Sequence, residues 1–260
     1  MIKDLVFHHH TSLGDHYICN GIAHNYAKDC ETLHIPCSEG NYETVNSLYS
    51  DFDNIVVHPM TFQSPVSKHE VDALAAKEGW EVTRIGFEKV YYRRFHRVNS
   101  PGVEGISVNF DRQFYEEANL LYRKRYEDFH LPKEIPNVDK VYDELVGDAD
   151  EYIILHKNSS LRDDYPVELW SWRQGKFNKN IKIVEIKKGQ TSNMLSYMKV
   201  IENAKEIHCV DSSFFCLVDS VSSKLKGELF YHDMRVNNHV QVHCNFSTPK
   251  WNIMGYDFVI

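Results

Sequence analysis

The residues of this chain best placed to do chemistry fall in two turns, each joining an apolar run to a segment that can open a helix. One is Leu5-Val-Phe-His-His-His10-Thr-Ser-Leu-Gly-Asp15, and the other is Glu206-Ile-His-Cys-Val-Asp-Ser-Ser-Phe214. A helix start presents backbone N–H groups that have no partner inside the helix, and these suit an anion. In the first turn, Gly14 lets a ligand approach the backbone, and Asp15 after it faces the crevice above the strand ends where open α/β sheets bind ligands. An aspartate there could accept a proton from a substrate hydroxyl. The plainer role is stabilisation of the helix N-terminus, worth ~0.3–1 kcal/mol. His10, at the strand end beside Gly14 and Asp15, is a candidate substrate contact.

In the second turn, Asp211, Ser212 and Ser213 combine hydroxyls with first-turn amides, a set suited to a diphosphate; ordinary N-capping would explain any one of them. The segment Leu155-His-Lys-Asn-Ser-Ser-Leu-Arg162 adds His156, the hydroxyls of Ser159 and Ser160, and two cations. Arg162 could pair with a phosphate through two parallel hydrogen bonds. Arg112 and Tyr115 lie three apart, on one face of a predicted helix, where they could hold a sugar or a phosphate. Phe114 and Tyr115 would equally serve packing, and Arg123-Lys-Arg125 reads as a solvated face. Trp170 and Trp172 could stack on a sugar or base, or anchor a core.

The run His8-His9-His10, among 15 histidines, invites a metal reading. Consecutive strand residues point to opposite faces, so three in a row do not converge on one ion, and no metal is expected. His8 reads as a satisfied core residue.

Periodicity predicts the elements that must carry these groups. Strands are expected at Asp4–His9, Thr32–Ile35, Asn54–His58 (stopped by Pro59) and Val82–Phe87, with helices at Asp15–Lys28, Asn41–Phe52 and Val66–Glu78. The pattern breaks between Val90 and Asp150, with an Arg- and Tyr-rich run at 90–97, a Pro-Gly turn at 101–102 and a long helix near Asp111–Phe129. Alternation resumes with strands at Glu151–His156, Ile181–Ile186, Glu206–Val210 and Glu228–Tyr231, and helices at Asn193–Lys205 and Phe214–Ser222. Strands alternating with helices imply parallel, doubly wound sheets. The expected organisation is two similar α/β domains, residues 1–147 and 148–260.

Composition narrows the function classes. At 260 residues, with 42% hydrophobic and 25% charged residues, the chain is that of a globular protein able to bury a sizeable core. A net charge of −8 with scattered cations argues against a grip on nucleic-acid phosphates. The N-terminal apolar stretch is short for a signal peptide, and no window approaches the ~18 apolar residues of a membrane span, so a cytoplasmic protein is expected. Six cysteines occur without a CxxC pair and read as reduced, structural thiols.

Leu13-Gly14-Asp15 after a first strand, a second-half strand ending in His156 with Ser159 and Ser160, and the Ile207-to-Ser213 turn together resemble the two-domain GT-B glycosyltransferases, and the heptosyltransferase-like branch most. That resemblance implies two Rossmann-like domains with parallel sheets facing across a cleft. It also implies that Asp15 is the general base and that His156–Arg162 and Asp211–Ser213 bind the donor's nucleotide diphosphate. The chain departs from the branch in being shorter, in carrying Arg162 where lysine is expected, and in lacking a glycine-rich stretch beside Asp211. The expected activity is inverting, metal-independent transfer from a nucleoside-diphosphate sugar to a carbohydrate acceptor, with no cofactor beyond that co-substrate and the acceptor held near His10, Gly14 and Arg112. The competing readings are a non-catalytic nucleotide- or glycan-binding protein and a nucleotide-sugar epimerase. A dehydrogenase is disfavoured because GxGxxG is absent.

Overall fold

The computed structural model describes residues 2–62, 68–87, 110–159, 162–167, 169, 181–233 and 251–255. Ser160, Trp170, Trp172, Cys244, the 90–97 run and the Pro-Gly turn at 101–102 lie outside the described residues. The chain divides into two compact units. The first holds the described residues up to 134. The second holds those from 135 to 233 and 251–255.

In the first unit, strands β1 (Ile2–His8), β2 (Cys30–Ser38), β3 (Ile55–Met60) and β4 (Glu81–Arg84) form an all-parallel sheet in the order β3-β2-β1-β4. Strand alternation sends Phe7 and His9 to one face, where they meet Tyr26 and His16 of helix α1 (Leu13–Ala27). It sends Val6 and Val82 to the other face, against Val71 and Ala75 of α3 (His69–Glu78), while α2 (Tyr42–Leu48) joins β2 to β3. Helices on both faces make the sheet doubly wound. The strand expected to stop at Pro59 runs on to Met60. Because β3 is an edge strand of this sheet, the missing proline N–H costs no ladder bond on the open side.

The helix expected across Asp111–Phe129 is two shorter ones, α4 (Phe110–Glu117) and α5 (Lys124–Glu127). Asn119 adopts a left-handed conformation at φ 55°, which ends the first. Arg125, read from sequence as a solvated residue, is fully buried and ion-paired with Asp111, which is also buried. Tyr122 donates to the same carboxylate at 2.6 Å and receives a bond from Arg125 at 2.9 Å.

The second unit opens with α6 (Val138–Leu145), in the stretch where the sequence shows no regular alternation. Lys199 reaches back to its Asp139 at 2.6 Å, and the Ser196 hydroxyl donates to the Pro136 carbonyl at 2.8 Å. Five strands follow, β5 (Tyr152–His156), β6 (Lys182–Ile186), β7 (Glu206–Val210), β8 (Glu228–Asp233) and β9 (Trp251–Gly255), all parallel in the order β6-β5-β7-β8-β9. A 3₁₀ turn (Met194–Tyr197) and the short α7 (Met198–Asn203) stand where one helix was expected, and α8 (Ser213–Val221) follows β7. Phe215 of α8 packs on Tyr231 and Trp251 with ring centroids 4.8 and 4.9 Å away.

Gly227 enters β8 against the backbone that leads into β7. A Cβ there would overlap the Ala204 carbonyl oxygen and lie 3.0 Å from that of Lys205, which already accepts the Glu228 N–H. A backbone carbonyl held in this way has little room to retreat. Gly227→Ala is therefore expected to destabilise the protein by about 1–3 kcal/mol in urea denaturation.

The five described cysteines are buried thiols without disulfides, and burial pushes those of Cys19 and Cys209 well up, leaving them unreactive. Among the described residues no helix is long and apolar enough to cross a membrane, and no group of three His, Cys, Asp or Glu side chains is arranged to hold a metal ion.

Candidate functional site

A doubly wound sheet opens a crevice beyond the carboxyl ends of the two strands between which its order reverses. These are β1 and β4 in the first unit and β5 and β7 in the second. Both turns singled out from sequence lie at these positions, because each directly follows β1 or β7.

In the first unit, Ser12 is the N-cap of α1 in an extended conformation, and Asp15 and His16 donate their N–H groups to its carbonyl. The helix thus starts two residues earlier than periodicity suggests. Leu13 and Gly14 supply its leading amides, and Asp15 sits in the first turn, 8% exposed. Thr11 anchors the turn, its carbonyl receiving Ser38 and Asn41 side chains from the end of β2. His10 is fixed by a 2.8 Å bond from Nε2 to the Gly86 carbonyl, with Phe87 and Phe114 edge-on at 5.3 and 5.5 Å. Burial lowers its pKa, so the ring is a neutral tie between the β1 and β4 ends. Gly86 has φ 80°, and a Cβ there would run into the Phe114 ring, so glycine is required at this junction. Arg112 is exposed and paired with Glu116 at 3.1 Å, whereas Tyr115 is buried and donates to the Ile18 carbonyl. The arginine and the phenol three residues on therefore do not act as a pair.

In the second unit, Ser212 is the N-cap of α8. Its hydroxyl accepts the Phe215 N–H at 3.2 Å and donates to the Val210 carbonyl at 2.9 Å. The amides of Ser213 and Phe214 then lead the helix, beside the partly exposed Asp211 and Ser213. His156 closes β5 and is 4% exposed, stacked on Phe214 at 4.7 Å with Nδ1 3.4 Å from Ser212 Oγ. Burial holds its pKa down at about 4, so it braces the capped turn as a neutral ring and does not meet an anion as a cation. The loop after β5 folds on itself: Ser159 N–H donates to the Arg162 carbonyl and Tyr165 N–H to that of Lys157, both at 2.8 Å. Tyr165 packs on Val210, which draws this loop to the end of β7. Arg162 stays exposed, its guanidinium 5.4 Å from the Tyr165 ring centre. Sequence reasoning missed Tyr165 and Phe214, the two aromatic rings that seat the loop and the helix start. Their signal was no more than an aromatic residue shortly after each polar turn.

Ser212→Ala removes the cap while leaving the fold's packing intact. A loss of about 1 kcal/mol in stability is expected in urea denaturation. An unchanged midpoint would mean that the hydroxyl does not cap the helix.

Buried neutral histidines also set a pH dependence. His8, His9 and His232 are held at about 3, and His24 and His156 at about 4, in each case first by burial. Each binds its proton more weakly folded than unfolded, so the unfolded chain takes up more protons below pH ~6.5 and stability falls as pH drops from there toward 4. Melting temperature is expected to decline steeply over that window. A flat profile down to pH 4 would contradict it.

Two Rossmann-like units with parallel sheets, each with a polar helix start at its switch point, define the class of α/β protein. No protein-family model matches the chain, and no curated protein does. Among solved structures, the chain is similar in fold to a glycosyl transferase family 9 protein from Veillonella parvula, with a TM-score of 0.52 at 9% identity over 98% of this chain and 87% of that one. It also aligns with the bacterial iron-containing dodecameric glycosyltransferase TibC from enterotoxigenic E. coli, with a TM-score of 0.49 at 12% identity, covering 89% of this chain and 58% of that chain. The chain thus spans less than two thirds of TibC's length.

Proposed function

We propose that this protein is an inverting, metal-independent glycosyltransferase of GT-B type. It would move a sugar from a nucleoside-diphosphate sugar to a carbohydrate acceptor. The observation that carries the reading is the placement of a carboxylate, Asp15, at the first switch point and of a serine-capped helix start, Ser212 and Ser213, at the second. The fold likeness to a glycosyl transferase family 9 protein supports it.

In this reading the Asp15 carboxylate takes the proton of the acceptor hydroxyl. The acceptor oxygen forms its bond to the anomeric carbon as the bond to the diphosphate breaks on the opposite face. Negative charge gathers on the leaving diphosphate. The leading amides of α8, the hydroxyls of Ser159, Ser160, Ser212 and Ser213, and Arg162 would stabilise it, with Asp211 shaping the turn and His156 bracing it. Amide dipoles, hydroxyls and one guanidinium supply this stabilisation without a divalent cation.

The burial of Asp15 favours one competing reading, a glycan- or nucleotide-binding protein in which that residue only supports α1. Thermal shift against nucleoside diphosphates and nucleotide sugars, with and without EDTA, followed by assay of donor turnover, separates the two. Stabilisation by one diphosphate that survives EDTA, together with turnover, is the expected result. Binding without turnover would favour the non-catalytic protein, and an absence of stabilisation would remove the donor site.

A further inference from the structure

Past the end of β4, the main-chain bonding between the two switch-point strands of the first unit gives way to side chains. The Ile85 N–H still donates to the His8 carbonyl, at 3.1 Å. At the next residue, Gly86, side chains satisfy both polar groups of the backbone. Its carbonyl accepts from His10 Nε2 at 2.8 Å, and its N–H donates to the Glu117 carboxylate. Glu117 closes α4, and its other oxygen receives Gln113 Nε2 at 2.7 Å from one turn back. Phe114, three residues before Glu117 and so on the same helical face, fills the space beside Gly86 that a Cβ would need. Helix α4 therefore grips one peptide with two side chains, and the left-handed conformation of Gly86 allows the approach. A carboxylate is a strong partner for a main-chain amide, because an ionised acceptor makes the stronger bond. The Cys19 thiol of α1 is raised first by burial and then by Asp15, and Glu117 adds to the effect, so both carboxylates act on one side chain.

We propose that Glu117 is a positioning residue for the acceptor side of the site: its hold on the Gly86 peptide fixes the end of β4 and, through the Gly86 carbonyl, the ring of His10. This rests on the glycosyltransferase reading for the reaction that it serves, whereas the clamp itself is defined by Gln113, Glu117, Gly86 and His10. Gly86 is buried, so its amide needs an acceptor, and without the carboxylate the peptide relieves the deficit by turning toward water. Such a turn carries the carbonyl away from His10, and the ring loses the bond that orients it. Phe87, whose ring meets that of His10, follows the same peptide. A displacement of this kind slows transfer without touching donor binding, because the approach of the acceptor hydroxyl tolerates little error.

The test compares Glu117→Ala with Glu117→Gln in the whole protein. Glutamine keeps an oxygen for the Gly86 N–H, and the Gln113 amide can turn to accept from its NH2 group, whereas alanine keeps neither contact. Alanine also favours the helix, and Glu117 is partly exposed, so both variants are expected to fold. By NMR, the Gly86 amide should exchange with solvent about tenfold faster or more in Glu117→Ala, the loss of one bond to a charged acceptor, and at the parent rate in Glu117→Gln. The His10 Nε2–H signal, identified by its absence in His10→Gln, should shift in the first variant and hold in the second. With p-nitrophenyl glycosides as acceptors, kcat/KM for the glycoside that is glycosylated should fall about 10–10²-fold in Glu117→Ala and recover in Glu117→Gln. The thermal shift given by nucleoside diphosphates should stay the same in both. Unchanged Gly86 exchange in Glu117→Ala overturns the clamp. Acceptor kinetics as poor in Glu117→Gln as in Glu117→Ala overturn the positioning role, because the charge and not the tether would then matter. A protein that transfers no sugar ends the transferase reading, while the exchange and His10 readouts still decide the clamp.

Discussion

Asp15→Asn is expected to lower kcat for sugar transfer by about 10²–10⁴-fold, the usual contribution of a positioned general base, while leaving donor binding in place. The substitution keeps the size and most of the hydrogen-bonding capacity of the side chain but removes its ability to take the acceptor proton. It also removes a negative charge from the first turn of α1, which costs only ~0.3–1 kcal/mol in stability. The two roles therefore predict effects of very different size on different readouts. A kcat reduced by orders of magnitude with a nearly unchanged melting temperature assigns Asp15 to catalysis. Full transfer activity in a correctly folded Asn variant would restrict Asp15 to supporting the helix.

The largest effect on stability is expected at Arg125. Its side chain and that of Asp111 are both fully buried and ion-paired, with Tyr122 bonded to each. Replacing Arg125 by Met leaves the Asp111 carboxylate buried without its cation, and removing one member of such a pair costs about 3–5 kcal/mol. Urea denaturation would read this as a lower midpoint with an unchanged slope. Replacing both partners together, Asp111→Leu with Arg125→Met, should recover much of the loss, because no buried charge is then stranded. A single-variant loss below about 1 kcal/mol would mean that water reaches the pair. Helix α4, which carries Asp111, also places Phe114 against His10, so a weakened pair should loosen the β1 end as well.

The sequence by itself determined the alternation of strands and helices, the two polar helix starts and the Ser212 cap. Strands buried on both faces read as unbroken apolar runs, as Leu5-Val-Phe and Ile153-Ile-Leu do, and a cap is a local contract between one hydroxyl and an amide three residues on. Local interactions are visible in local sequence. Strand β9, Trp251-Asn-Ile-Met-Gly, gives no strand signal because its residues neither alternate strictly nor form an unbroken apolar run, and as an edge strand it leaves Ile253 55% exposed. Pro59 misled because only the sheet order makes β3 an edge, where a missing N–H costs no bond.

Tertiary structure alone decided the rest. Arg125 looks solvated in its Arg-Lys-Arg setting, and only the break at Asn119 lets α5 fold back and bury it on Asp111, 14 residues away. His156 reads as a ligand contact, yet β7 and α8, some 50 residues on, bury it as a brace against Phe214 and Ser212. His8 reads as satisfied core, yet its ring takes its hydrogen bond from Arg84, 76 residues away, and that bond leaves its remaining proton on a buried nitrogen with no partner among the described residues. In each case burial and hydrogen-bond partner are set by residues far along the chain. A side chain's protonation and availability to a ligand depend on those neighbours and not on its own place in the sequence.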